Sequence, residues 1–337
     1  MLLLPAKITP DISDICVVVI FCSRLAWLNK LVFPKRPKPH CNNPDMQNPF
    51  DLDNTDAYLR WRDHKLAQAI TDPGELIVDI RDPFSLTKTE HAALLERCRR
   101  SNMVIYTTQA NPIDEGTVQQ FGLQFGLASL DANWLADEQG ITRVTVCAED
   151  GQRQAYIPYT DRAIRWHTDG YYNSPDRQVR SFVLHCAHSA GRGGENRLLD
   201  HEIVYLMLRD ENPDFIRALS AADAMTIPER TDEQGVARIA QSGPVFSVDP
   251  VNGALHMRYT ARTRSIEWNQ NSTTLAAVVV LEKMLASDLP HIHPLRLEPG
   301  MGLLCNNVLH DRAAFDDDAV APRLLYRARY HERIAAS

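Results

Sequence analysis

The texture of the chain after Thr142 constrains its fold more than any other feature. Short apolar runs recur at 142–147, 180–187, 196–200, 244–249, 254–259, 295–298, 301–306 and 323–330, and helical patterns interrupt them near 201–210 and 271–287. Segments this short cannot stand alone; their backbone groups must be satisfied by pairing with one another. Upstream the pattern is helical. Residues 55–70 place Tyr58, Leu59, Leu66 and Ile70 near one stripe. Thr87-Lys-Thr-Glu90 is a capping box for a helix reaching about Arg100, and 117–125 reads as another helix. Leu76–Ile80 and Met103–Thr107 are apolar strands between them. With no repeat and no linker after residue 45, this order predicts one α+β domain over 46–337, built around a β-sandwich or barrel.

The first 45 residues differ from the rest. Four of the seven lysines (Lys7, Lys30, Lys35, Lys38) lie there, and Pro-Lys-Arg-Pro-Lys-Pro occupies 34–39. The apolar run Ile15–Phe21 is too short to cross a bilayer, which takes roughly 20 residues. As a signal peptide it is poor, since Asp11 and Asp14 precede it and no small-residue cleavage site is clear. The expectation is an extension outside the fold, with Met46 as an alternative start.

Charge and cysteine usage exclude further classes. Thirty-six basic against 43 acidic residues give a formal charge of −7, which argues against a nucleic-acid binder that works by neutralising phosphates. Seven scattered cysteines (16, 22, 41, 98, 147, 186, 305) contain no C-x-x-C pair. That speaks against a disulfide framework or structural zinc, and for a reducing, cytoplasmic setting.

The chemically pointed element is Trp166-His167-Thr-Asp169. On an extended strand, residues i and i+2 share a face, so His167 and Asp169 can offer an imidazole nitrogen and a carboxylate oxygen to one ion. His310, in Asn306-Asn-Val-Leu-His-Asp-Arg312, is the best third ligand. Two histidines and one carboxylate on one face of an octahedral ion leave three positions open, the pattern of non-heme Fe(II) oxygenases. His185 reads as a core or supporting histidine, and His291 and His293 as part of a polar loop. No H-E-x-x-H and no phosphate-binding glycine loop is present. Arg323-Leu-Leu-Tyr-Arg327 follows His310 by 13 residues, and two arginines four apart on a strand point the same way. An arginine there can hold a carboxylate bidentately.

Taken in order, W-H-T-D-G-Y-Y (166–172), F-V-L-H-C-A-H-S-A-G-R-G-G-E-N (182–196), N-N-V-L-H-D-R-A-A-F (306–315) and R-L-L-Y-R (323–327) resemble the taurine dioxygenase / clavaminate synthase-like family of Fe(II)- and 2-oxoglutarate-dependent oxygenases. The likeness extends from about Leu76 to Arg333. It implies a double-stranded β-helix (jelly-roll) core with flanking helices, iron held by His167, Asp169 and His310, and the 2-oxoglutarate carboxylate held by Arg323. Asn196 stands where the family commonly has a threonine beside that carboxylate. Asp311 replaces a glycine found in clavaminate-type members.

The resemblance further implies O2 as co-substrate and hydroxylation of a small polar or anionic molecule, with release of succinate and CO2. Retention of Asp169 disfavours halogenation, because related halogenases lack this carboxylate. Arg327 is expected on an anionic substrate head group, with Arg312, Asn307, Tyr171 and Tyr172 lining the pocket; the tyrosines could also box a quaternary ammonium. No nucleic-acid partner and no stable membrane insertion are expected, while a homo-oligomer is compatible with the sequence. The rival readings are a non-catalytic jelly-roll binding or sensor protein and a zinc-dependent cupin-like hydrolase, neither of which needs Arg323.

Overall fold

In the computed structural model, residues 48–334 are described, apart from 111, 132–139, 147–156, 233–234, 263–265 and 319. The expected extension over 1–45 and the end of the 142–147 run lie outside these residues.

Ten strands form two sheets. They are β1 (Ile77–Asp79), β2 (Met103–Thr107), β3 (Ile141–Val144), β4 (Ile164–His167), β5 (Ser181–His188), β6 (Asn196–Leu199), β7 (Ile292–Leu295), β8 (Met301–Cys305), β9 (Leu309–Arg312) and β10 (Leu324–Tyr330). The larger sheet runs β1-β2-β8-β5-β10-β3 and the smaller β7-β6-β9-β4. Neighbours are antiparallel except β1 and β2. Between the sheets lies an apolar layer to which the larger contributes Ile105, Phe182, Leu303 and Leu325, and the smaller Leu198 and Leu295.

Helices cover the outer faces. Helices α2 (Lys88–Ser101) and α3 (Glu115–Leu123) pack Leu94, Val118 and Phe121 against Tyr106, Val183, Ala328 and Tyr330 of the larger sheet. Helices α1 (Thr55–Gln68), α4 (His201–Glu211), α5 (Pro213–Leu219) and α6 (Ser272–Leu285) cover the smaller sheet through Tyr58, Tyr205, Ile216 and Leu281. The capping box at Thr87 has both arms: Glu90 N–H donates to the Thr87 hydroxyl, and Thr87 N–H to the Glu90 carboxylate. Lys65 of α1 is buried between Asp200, at the N-cap of α4, and Glu202; its ammonium lies 2.6 Å from the Asp200 carboxylate.

Two expectations need correction. The strand placed at 295–298 is Ile292–Leu295, so His293 lies within a strand, 2% exposed, where a polar loop was expected. His310 comes just past the apolar β8 and sits inside β9. Strand β4 ends at His167, and Asp169 comes from the turn that follows.

Candidate metal centre

Strands β4 and β9 are antiparallel neighbours, and His167 is directly opposite His310. This cross-strand pairing, with ring centroids 4.2 Å apart, brings together residues 143 positions distant in the chain. Each imidazole is aimed by the backbone: Nδ1 of His167 lies 3.0 Å from the Arg165 carbonyl and Nδ1 of His310 3.0 Å from that of Val308. A carbonyl can only accept, so both Nδ1 atoms carry the proton and both Nε2 lone pairs face inward. Those Nε2 atoms stand 3.7 and 4.0 Å from one Asp169 oxygen. The potential ligand atoms all lie within 4.8 Å of one another, and among the described residues no other group of three or more such side chains does this.

The Asp169 carboxylate is delivered by a turn rather than by strand alternation. Gly170 takes φ +68°, and a Cβ there would meet Val179 at 2.5 Å, so the turn depends on glycine. Asn307 then locks it. Its side-chain oxygen accepts from Asp169 N–H at 2.7 Å, and its amide donates to the carbonyls of Asp169 (2.9 Å) and Val179 (2.6 Å). Asn307 itself adopts φ +51° between β8 and β9, a conformation that asparagine tolerates better than most residues. With both amide N–H groups committed and 1% exposure, Asn307 is placed to hold the Asp169 turn.

The electrostatics suit a cation. Burial pushes His167 down to about 3, with His310 adding to the effect, so the imidazole is neutral and free to coordinate. Burial pushes the Asp169 carboxyl up, but Arg327, Arg329 and the two histidines outweigh it and hold the carboxyl well below its usual value. Arg327 Nη1 is 3.3 Å from Asp169. Neutral imidazoles and an ionised carboxylate form the donor set of a divalent transition metal with open positions.

The remaining expected residues divide. Arg327 shares the inward face of β10 with Leu325, and Arg323, one residue before the strand, is 6% exposed with no ion pair of its guanidinium among the described residues. Arg312 is held by the backbone. It donates to the carbonyls of Pro158 (3.3 Å), Thr160 (2.7 Å) and Arg162 (2.6 Å), clasping the segment before β4. Burial pushes it down to about 9, with Arg323 and Arg327 adding repulsion. Asn196 donates one amide N–H to the Asp311 carbonyl at 2.6 Å, which leaves the second N–H of that nitrogen. Tyr171 meets His167 edge-on at 6.4 Å, and Tyr172 meets Tyr171 edge-on at 5.2 Å. The Tyr172 hydroxyl accepts from Arg329 at 3.0 Å, and Arg238 lies 5.7 Å from its ring. Two guanidiniums at that ring oppose the quaternary ammonium considered above.

The sequence reading missed Arg329 and Asp131. They form a buried ion pair at 2.7 Å that braces Tyr172 from behind. The signal was present: Arg329 is two residues past Arg327, and alternate residues of a strand share a face.

A family model described as "Taurine catabolism dioxygenase TauD, TfdA family" matches residues 62–329. A uridine-5'-phosphate dioxygenase of Amycolatopsis sp is 30% identical over 177 residues, 51% of this chain and 62% of that protein. One of Streptomyces sp is 30% identical over 216 residues, 60% of this chain and 74% of that protein. The chain therefore spans just under two thirds of the Amycolatopsis relative. Among solved structures, asparagine oxygenase with Fe(II), 3-hydroxyasparagine and succinate aligns at TM-score 0.53 and 14% identity, over 73% of this chain and 80% of that one. The non-heme iron oxygenase OrfP with Fe and alpha-ketoglutaric acid aligns at 0.54 and 13%, with the same coverage. At such identities the likeness concerns the fold alone.

Proposed function

The chain belongs to the taurine catabolism dioxygenase TauD, TfdA family, and from that premise we propose that it is an Fe(II)- and 2-oxoglutarate-dependent dioxygenase hydroxylating a small anionic molecule. The two facing sheets are read as the two halves of a double-stranded β-helix. The observation that carries the reading is the convergence of His167, Asp169 and His310, beside the inward arginines of β10.

His167, Asp169 and His310 would hold Fe(II), which with 2-oxoglutarate and O2 supplies the oxidation of a substrate C–H bond, succinate and CO2 being released. The chain's own residues do the rest. Arg323, buried without an acidic partner, would take the distal carboxylate of 2-oxoglutarate in a bidentate pair. Arg327 holds Asp169 ionised and leaves donors for an anionic substrate group. Phe182, 5.1 Å from His310, keeps the inner wall apolar and excludes water there.

Arg327 and Arg329 are matched by Asp169 and Asp131, while the Arg323 guanidinium makes no ion pair among the described residues, and this surplus of positive charge is what favours an anionic substrate. The curated relatives are named for uridine-5'-phosphate, so a nucleoside monophosphate heads the substrates to test. The full chain with Fe(II), ascorbate and 2-oxoglutarate should release succinate faster when the right phosphorylated or carboxylated molecule is added. A zinc hydrolase or a binding module would release none with or without it, and that result would end the proposal.

A further inference from the structure

A cavity of about 280 Å3 lies between the 173–180 segment and the hairpin formed by Phe246–Val248 and Leu255–Met257. Its lining includes none of His167, Asp169, His310, Arg323 or Arg327. It is walled instead by charge that is not balanced. Arg258 is 6% exposed and makes no ion pair among the described residues. Three of its five N–H groups donate to carbonyls: Nε to Tyr171 (2.7 Å), Nη1 to Met225 (2.9 Å) and Nη2 to Gln241 (2.7 Å). Two N–H groups remain, and hydrogen bonds to carbonyls do not cancel a formal charge. Gly243 makes room for this guanidinium; a Cβ there would come within 3.2 Å of Nη1.

The second cation in the wall, Arg180, is paired with Asp249. His256, opposite Ser247 across the hairpin, lines the same wall. Neither its imidazole nor the Ser247 hydroxyl has a hydrogen-bond partner among the described residues, and the same holds for the Gln178 amide at the rim. Burial pushes His256 down to about 3, and His201, Arg180, Arg333 and Arg258 add to that, so the ring is neutral and has one N–H to donate. Two arginines against one carboxylate leave the cavity with one surplus positive charge, and three side-chain donors are free to face its interior. A buried charge without a counter-ion is costly, and a bound anion removes that cost.

We propose that this cavity is a binding site for a small oxyanion, the carboxylate or phosphate group of a metabolite, separate from the metal centre. The hydrogen bond from Arg258 to the Tyr171 carbonyl ties its wall to the turn that carries Asp169.

The test is calorimetric titration of the full chain, loaded anaerobically with Fe(II) and saturating 2-oxoglutarate, with inorganic phosphate and, separately, with acetate. The two arms distinguish a phosphate from a carboxylate ligand. One saturable site for at least one anion is expected. His256→Phe fills the cavity and removes a donor, and should weaken that binding by about tenfold or more, the effect of one lost hydrogen bond. Arg327→Ala should leave it unchanged. Gln178→Leu, at the half-buried rim, carries the same expectation as His256→Phe should the latter fail to fold. Absence of saturable binding for both anions would overturn the proposal. So would binding lost in Arg327→Ala, or binding retained in both cavity variants.

Discussion

At the scale of the residue, the geometry of the candidate metal centre depends on groups outside the His167, Asp169 and His310 set. Asn307 holds the Asp169 turn by three hydrogen bonds, while carbonyls fix both histidine rings. His167→Ala should abolish stoichiometric Fe(II) binding, measured by metal content after anaerobic reconstitution, and leave the melting temperature nearly unchanged. Asn307→Leu should lose both, because it strands a buried N–H and two carbonyls at about 1–3 kcal/mol each. A variant that kept full metal content would show that the turn holds itself. The two inward arginines should separate by function. Arg323→Ala should raise the apparent constant for 2-oxoglutarate by on the order of a hundredfold, the loss of a charge-assisted bidentate pair. It should also suppress succinate formed without prime substrate. Arg327→Ala should spare that uncoupled reaction. The reverse outcome would exchange the two assignments.

At the scale of the element, what was legible and what was not have a common cause. Helix α2 was readable because its start signal is local: Thr87 and Glu90 satisfy each other's backbone within four residues. The strands were readable as runs, and β2, β8 and β10 fall where the runs do. Strand β7 was misplaced because His291 and His293 look polar, although His293 faces the core. The triad was visible as residue types, whereas the hydrogen-bond partners of Arg312, Asn196 and Asn307 were not. Their partners are backbone carbonyls and N–H groups brought near by pairing across the smaller sheet and its turns, and sequence carries no sign of those. His185 of β5 shows the same dependence on tertiary context. It faces the helix side of the larger sheet, 3.0 Å from the Tyr106 hydroxyl, and burial pushes it down to about 4. A group whose folded value is depressed contributes stability above its unfolded value, near 6.5, and that contribution fades as pH falls towards 4. The loss over that window should be on the order of 3 kcal/mol from this group, read by urea unfolding at a series of pH values. His185→Gln should show a shallower decline; an unchanged slope would assign the pH dependence to other buried groups.

At the scale of the whole molecule, the described fold is tied down at its beginning. Arg209, buried in α4, donates to the carbonyls of Pro49 and Asp51, each at 2.9 Å. A chain starting at Met46 should therefore match the full chain in melting temperature and in 2-oxoglutarate turnover. One starting at Thr55 should melt lower, since Arg209 loses two of its acceptors at about 1–3 kcal/mol of stability. Equal melting temperatures for the two shortened chains would remove the anchoring role.

The bridge from Lys65 to Asp200 and Glu202 gives the molecule its own clock for opening. Beyond Lys38 the chain has three lysines, and Lys88 and Lys283 are exposed while Lys65 is 5% exposed. An amine-acylating reagent will tag the two exposed lysines at once and reach Lys65 when α1 lifts from α4. The rate at which the peptide bearing Lys65 gains mass then counts those detachments one molecule at a time.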